Sequence, residues 1–225
     1  MFNSLDTSAF PGSEDFYIAE FESILIKIVC CYNMMIDNGD TVPNKEVEIR
    51  DILYDRYLND NKVRNQMGLY LNIVCEPAVY INGKCSGYVD LEIFSRNSLK
   101  DTSAYYITEC KRLDNQNLKG KTGLNAKYIE DGIMRFVGGR YPTNKYLNGM
   151  IGFVVERMDI NANVTNINYL LKKIFFSANT ETVLTSLNFI RDFQYQYYSL
   201  HKGTDNKKIK LYHLMFDFSA NIGLG

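Results

Sequence analysis

A change of hydrophobic period at Gly68 constrains the fold of this chain more than any other feature. Before it, apolar residues recur at helical spacing. Phe21, Ile24, Leu25, Ile28, Val29, Tyr32 and Met35 predict a buried helix from Asp15 to Asp37, stopped by Asn38-Gly39. Pro43-Asn44 introduces a second helix, Lys45 to Asn59, with Ile49, Ile52, Leu53 and Tyr57 on one face. After Gly68 the pattern is that of strands. Apolar and β-branched residues run from Leu69 to Ile81, Asn82-Gly83 offers a tight hairpin turn, and Gly87 to Phe94 forms the return. A polar turn leads to a third strand, Ala104 to Lys111. Residues 122 to 138 regain helical spacing and end at Gly138-Gly139, and Met150 to Val155 is a short apolar run expected to be a central strand buried on both faces. Helices are expected at Asn166 to Phe176 and Thr180 to His201, then a last strand from Ile209 to Phe218. This order implies an α/β fold, a mixed central β-sheet with helices on both faces.

A chain of 225 residues suits one domain, 1–225, with residues 1–14, rich in Ser, Asp, Pro and Gly, as a loose arm. A formal net charge of -1 excludes the strongly basic footprint of an architectural nucleic-acid binder. The average hides an asymmetry. From Lys111 to Lys145 there are eight basic and three acidic residues, a net of +5, whereas residues 1–60 are strongly acidic. The basic segment is expected to border any anionic substrate, with the acidic one elsewhere. Five cysteines make an odd count without CxxC spacing and read as reduced thiols of an intracellular, cytoplasmic protein. The start lacks a basic segment followed by an apolar run, so no secretory signal is expected. Phe21 to Ile36, the most apolar stretch, is too short for a bilayer and carries Glu22 and Lys27, so no membrane span is expected. Two histidines and no cysteine pair at ligand spacing count against zinc, and no glycine cluster has phosphate-loop spacing.

Chemistry concentrates on two adjacent expected strands. In Gly87 to Phe94, alternation sends Val89, Leu91 and Ile93 one way and Tyr88, Asp90 and Glu92 the other. In Ala104 to Lys111 the same rule puts Ile107, Glu109 and Lys111 on one face and Thr108 and Cys110 on the opposite one. A carboxylate and an ammonium at i and i+2 thus converge. An isolated E-x-K match is most often a solvated pair. Here the triplet ends an apolar run, follows a separate acid-bearing strand and precedes a helix across a basic loop, and charges set into apolar strands need a compensating partner such as a metal.

These residues resemble the PD-(D/E)XK nuclease superfamily. The match is Asp90 within Gly87-Tyr88-Val89-Asp90-Leu91-Glu92-Ile93 and Glu109-Cys110-Lys111 within Ile107-Thr108-Glu109-Cys110-Lys111-Arg112. The order of elements over residues 45–156 resembles the family's common core. Two positions depart from the pattern: Val89 stands where the family's namesake proline would be, and the following helix offers Asn125, Lys127 and Tyr128 in place of a glutamine. The resemblance implies a restriction-endonuclease-like fold and a metal-dependent nuclease that hydrolyses phosphodiester bonds, in DNA by expectation, in defence, repair or recombination. Asp90 and Glu109 would hold Mg²⁺, with Mn²⁺ able to substitute, and the Cys110 backbone carbonyl would be a further ligand. Lys111 would orient or help deprotonate the attacking water, or stabilise the pentavalent phosphate. Glu48, from the preceding helix, is a supplementary acid or a helix-dipole residue. Arg112, Lys119, Lys121, Lys127, Tyr128 and Arg135 are candidate nucleic-acid contacts. Glu76 and Glu92 are minor candidates. A homodimer or a partner protein would supply target recognition. The competing class is an inactive module of the same fold that binds nucleic acid or a protein.

Overall fold

A computed structural model of the chain describes residues 13–81, 83–99, 105–141 and 147–223. Helix α1 spans Ser13–Asp37, and Gly39, at φ 67°, ends it with the left-handed geometry that glycine adopts without strain. The loose arm expected at residues 1–14 lies almost wholly outside the described residues. The second helix lies where its sequence suggests, with α2 covering Glu46–Leu53 and continuing as a π-helical turn over Tyr54–Leu58. A further helix, α3 at Asn61–Met67, was not anticipated. Its signals were local, since Asp60 caps it by accepting from the backbone of Lys62 and Val63, and Gly68 closes it at φ 58°.

The strand region is more broken than periodicity implied. Leu69 to Ile81 yields β1 at Ile73–Cys75 and β2 at Ala78–Ile81, parted by Glu76 at φ 53° and Pro77. The return divides as well: β3, Lys84–Tyr88, pairs only with β2 as a separate hairpin, while β4, Leu91–Phe94, joins the main sheet. Asp90 sits in the joint between them. β5 follows at Tyr105–Leu113, then a helix in three parts: α4 at Leu124–Tyr128, a π-helical turn at Ile129–Ile133, and α5 at Met134–Val137. β6, Leu147–Val154, is buried at every residue, as its apolar run implied. After it come α6 at Ile160–Lys173, β7 at Thr180–Ser186, β8 at Gln196–Lys202 and β9 at Lys208–Asp217.

The helix expected from Thr180 to His201 is therefore two antiparallel strands. Thr180, Thr182, Val183 and Thr185 stiffen the first half, and Tyr197, Ser199 and His201 alternate inward in the second, a strand signature that the aromatic content masked. The seven strands order as β1-β4-β5-β6-β9-β8-β7. β5, β6 and β9 run parallel and their outer neighbours antiparallel, so the sheet is mixed. One face packs on α1 and α2 through Leu91, Ile93, Tyr106, Cys110 and Ile151. The other packs on the α4–α5 segment and α6 through Ile107, Leu113, Met150 and Val154. Among the described residues no helix is long and apolar enough to cross a membrane.

Both histidines are fully buried and serve this second layer. Tyr128 Oη lies 2.8 Å from His213 Nδ1, Ser199 Oγ lies 2.7 Å from both His213 Nε2 and His201 Nε2, and His201 Nδ1 lies 2.8 Å from the Ala178 carbonyl. The carbonyl can only accept, so the line runs one way: Tyr128 Oη donates to His213 Nδ1, His213 Nε2 to Ser199, Ser199 to His201 Nε2, and His201 Nδ1 to the Ala178 carbonyl. Burial lowers both imidazoles, His201 to about 4 and His213 well below its ordinary value.

Candidate active site

β5 runs past its neighbour. Its pairing with β4 ends at Leu91 opposite Thr108, and the next two amides on that side, of Cys110 and Arg112, have side-chain acceptors instead of a strand. Cys110 N–H donates to Asp90 Oδ2 at 2.8 Å, and Arg112 N–H donates to Glu46 Oε2 at 3.0 Å. Two carboxylates thus continue the ladder where β4 stops. Alternation along β5 turns Glu109 and Lys111 to the α4–α5 side and the Cys110 thiol into the α1 core, as the period-two reading expected.

Lys111 gathers the acids. Its Nζ lies 2.9 Å from Glu109 Oε1, 3.1 Å from Glu46 Oε1 and 3.6 Å from Asp90 Oδ2, and donates to the Cys110 carbonyl at 2.6 Å. Asp90 and Glu109 therefore meet at one ammonium, Asp90 from the open edge of the sheet and Glu109 from the α4–α5 face of β5. Burial disfavours the Lys111 charge, but Glu109, Asp90 and Glu46 outweigh it and raise the ammonium above its usual range. Burial and the Asp90 charge push the Glu109 carboxyl up to about 7, with Lys111 and Arg135 pulling against them.

An outer ring of donors fixes these groups. Arg135 Nη1 donates to Glu109 Oε1 at 2.7 Å, and Tyr141 Oη donates to Glu109 Oε2 at 2.8 Å. Arg50, only 2% exposed, donates to Asp90 Oδ1 at 2.8 Å and also holds Asp51 and Glu76. Gly132 lets the π-helical turn of Ile129–Ile133 lie close against the sheet beside Lys111: a Cβ on it would stand 2.4 Å from Met150 Cε and 3.6 Å from Lys111 Cγ.

Several residues stand apart from where the sequence put them. The acid delivered by α2 is Glu46; Glu48 faces solvent, paired with Lys45 at 2.7 Å, because two positions along a helix turn a side chain through more than half a circle. Residues 1–60, expected to lie elsewhere, supply both Glu46 and Arg50. Tyr128 is fully buried and bonded to His213, so its ring is core and not a phosphate contact. Arg135 faces inward to Glu109. Arg112 reaches back to Asn44, whose carbonyl and side-chain oxygens accept at 2.7 and 2.6 Å. Lys119, Lys121 and Lys127 are exposed, with Lys119 over the Tyr169 ring of α6, and among the described residues none is bonded to Asp90, Glu109 or Lys111. Glu76, 54% exposed at its side chain, meets Arg50 through its carboxylate and donates its backbone N–H to the Asp90 carbonyl at 3.1 Å; Glu92 is half-buried on β4. Arg50, Glu46 and Tyr141 escaped sequence reading. For Arg50 and Glu46 the available signal was charge on the inward side of an amphipathic helix.

The donor set is of the kind a hard cation takes: carboxylate oxygens and a strand carbonyl. Among the described residues, however, no three His, Cys, Asp or Glu side chains are grouped at metal-ligand spacing, and the point where these oxygens converge is held by the Lys111 ammonium. Comparison with protein families, with curated proteins and with solved structures finds no match for this chain.

Proposed function

We propose that the chain is a metal-dependent nuclease that hydrolyses phosphodiester bonds, with DNA as the first substrate to test. The observation that carries this reading is the convergence of Asp90, Glu109, the Cys110 carbonyl and Lys111 at the open end of β5. The order of α2, three antiparallel strands β1, β4 and β5, the α4–α5 helix and the parallel β6 supports a restriction-endonuclease-like core over residues 45–156.

In this reading Asp90 and Glu109 would hold Mg²⁺ or Mn²⁺, with Glu46 beside them. Such an ion lowers the pKa of bound water and offsets charge developing on phosphate. Lys111, carried on β5, orients the attacking water or neutralises phosphate as a point charge. Arg135 and Tyr141 fix the Glu109 carboxylate, and Arg50 fixes that of Asp90, so the acids are set before substrate arrives. The exposed Lys119, Lys121 and Lys127 are the outer phosphate contacts. Purified protein incubated with supercoiled DNA, linear DNA and RNA, in Mg²⁺, Mn²⁺ or EDTA, tests this. Divalent-dependent cutting that Glu109→Gln abolishes is the expected result; no cutting of any substrate with either ion counts against it.

One observation favours a second reading, an inactive nuclease-fold module binding nucleic acid or a protein. Every acid of the site already has a protein cation: Asp90 has Arg50, Glu109 has Arg135 and Lys111, and Glu46 has Lys111. Under that reading the same incubation gives binding without cutting.

A further inference from the structure

The surroundings of Lys111 Nζ are those of a cation cage. Cys110 O at 2.6 Å, Glu109 Oε1 at 2.9 Å and Glu46 Oε1 at 3.1 Å satisfy its three protons, and Asp90 Oδ2 closes the cage at 3.6 Å. Its side chain is 7% exposed, so water contributes little to its solvation. Arg50 takes Asp90 Oδ1 and Tyr141 takes Glu109 Oε2, while Asp90 Oδ2 and Glu109 Oε1 face the ammonium, each shared with one further donor, the Cys110 amide on Oδ2 and Arg135 on Oε1.

These inward oxygens are the ones a divalent ion would use. Magnesium binds oxygen at about 2.0–2.1 Å, so an ion on Glu109 Oε1, itself 2.9 Å from Nζ, would stand within about 5 Å of the ammonium. Like charges that close in a buried site repel far more strongly than they do in water. We infer that the Lys111 ammonium and a divalent cation exclude each other from this cage: the ammonium is its resident cation, and metal enters as the flexible stem swings Nζ outward. The inference rests on the metal-dependent reading above. It adds that Lys111 opposes metal binding at rest, so metal occupancy is what frees the ammonium for phosphate.

Mn²⁺ binding without nucleic acid, followed by electron paramagnetic resonance and titration calorimetry on the full chain, tests this apart from activity. Lys111→Met is expected to bind Mn²⁺ about tenfold tighter than wild type or better, and Glu109→Gln about tenfold weaker. Equal or weaker binding by Lys111→Met overturns the mutual exclusion and leaves the nuclease reading standing. Absence of binding by both wild type and Lys111→Met at millimolar Mn²⁺ overturns both. Should Lys111→Met not fold, the wild type provides its own readout. Acetylation of Lys111 by acetic anhydride, read by peptide mass spectrometry, should rise several-fold from EDTA to saturating Mn²⁺ while the part-buried Lys27 stays constant. Unchanged Lys111 labelling at saturation is the contrary result.

Discussion

Glu46 and Lys111, 65 residues apart in the chain, meet at 3.1 Å, with the other Glu46 oxygen on the backbone amide of Arg112. One side chain therefore serves as counter-ion and as strand substitute. Glu46→Ala should destabilise the fold by roughly 1–3 kcal/mol through the amide it leaves unpaired. Glu48→Ala should stay within about 0.5 kcal/mol, since its pair with Lys45 is exposed. Urea denaturation of both variants decides; equal losses would contradict the placement of the two acids.

Lys111→Ala removes a preorganised point charge but keeps Asp90 and Glu109. If the site hydrolyses phosphodiesters, plasmid nicking should fall by roughly two orders of magnitude, while DNA retention in a gel-shift assay in EDTA persists. A variant that nicks as fast as wild type rules out the role given to the ammonium.

Arg50 has its side chain 2% exposed among Asp90, Asp51 and Glu76, of which Asp51 and Glu76 are about half open to water. Arg50→Met leaves the Asp90 charge without its buried partner, and a loss on the order of 3 kcal/mol is expected. If solvent can reorganise around all three acids the loss will be under about 1 kcal/mol. Chemical denaturation monitored by tyrosine fluorescence distinguishes the two.

The buried imidazoles predict a pH dependence. His201 titrates near 4 in the fold against 6.5 when unfolded, and His213 is also depressed. The unfolded chain therefore binds more protons between these values. Their contribution is fully present above pH 6.5 and is lost as pH falls toward 4, on the order of 3 kcal/mol for His201. Melting temperature should fall across that window, and less steeply in His201→Gln. Nitrogen NMR should find the His213 proton on Nε2 and the His201 proton on Nδ1, the tautomers required by the one-way run of hydrogen bonds; the opposite pair would contradict the bond from His201 to the Ala178 carbonyl.

Legibility in the sequence followed local periodicity. α1, β6 and β9 were readable because each carries one unbroken pattern, and β5 because Glu109 and Lys111 interrupt an apolar run at alternate positions. Gly87 to Phe94 was not, since alternation passes smoothly through Val89 and Asp90 although the backbone changes sheets there. Glu46 over Glu48 was a matter of helix phase against a strand distant in sequence, which no local pattern specifies. Thr180 to His201 forms strands where its spacing predicts a helix because aromatic residues fit either period and the β-branched Thr180, Thr182, Val183 and Thr185 favour the extended backbone.

The overhang of β5 has one more consequence. Unpaired amides at the rim of a sheet invite a strand from another molecule, the first step of aggregation. Here the Asp90 and Glu46 carboxylates occupy the Cys110 and Arg112 amides, and both acids are also bound to cations of the chain. An incoming backbone would have to displace two ion-paired carboxylates before its first hydrogen bond could form. The acids thus guard the rim of the sheet against self-association, and replacing both with alanine exposes a sticky edge whether or not the site ever cuts a phosphodiester.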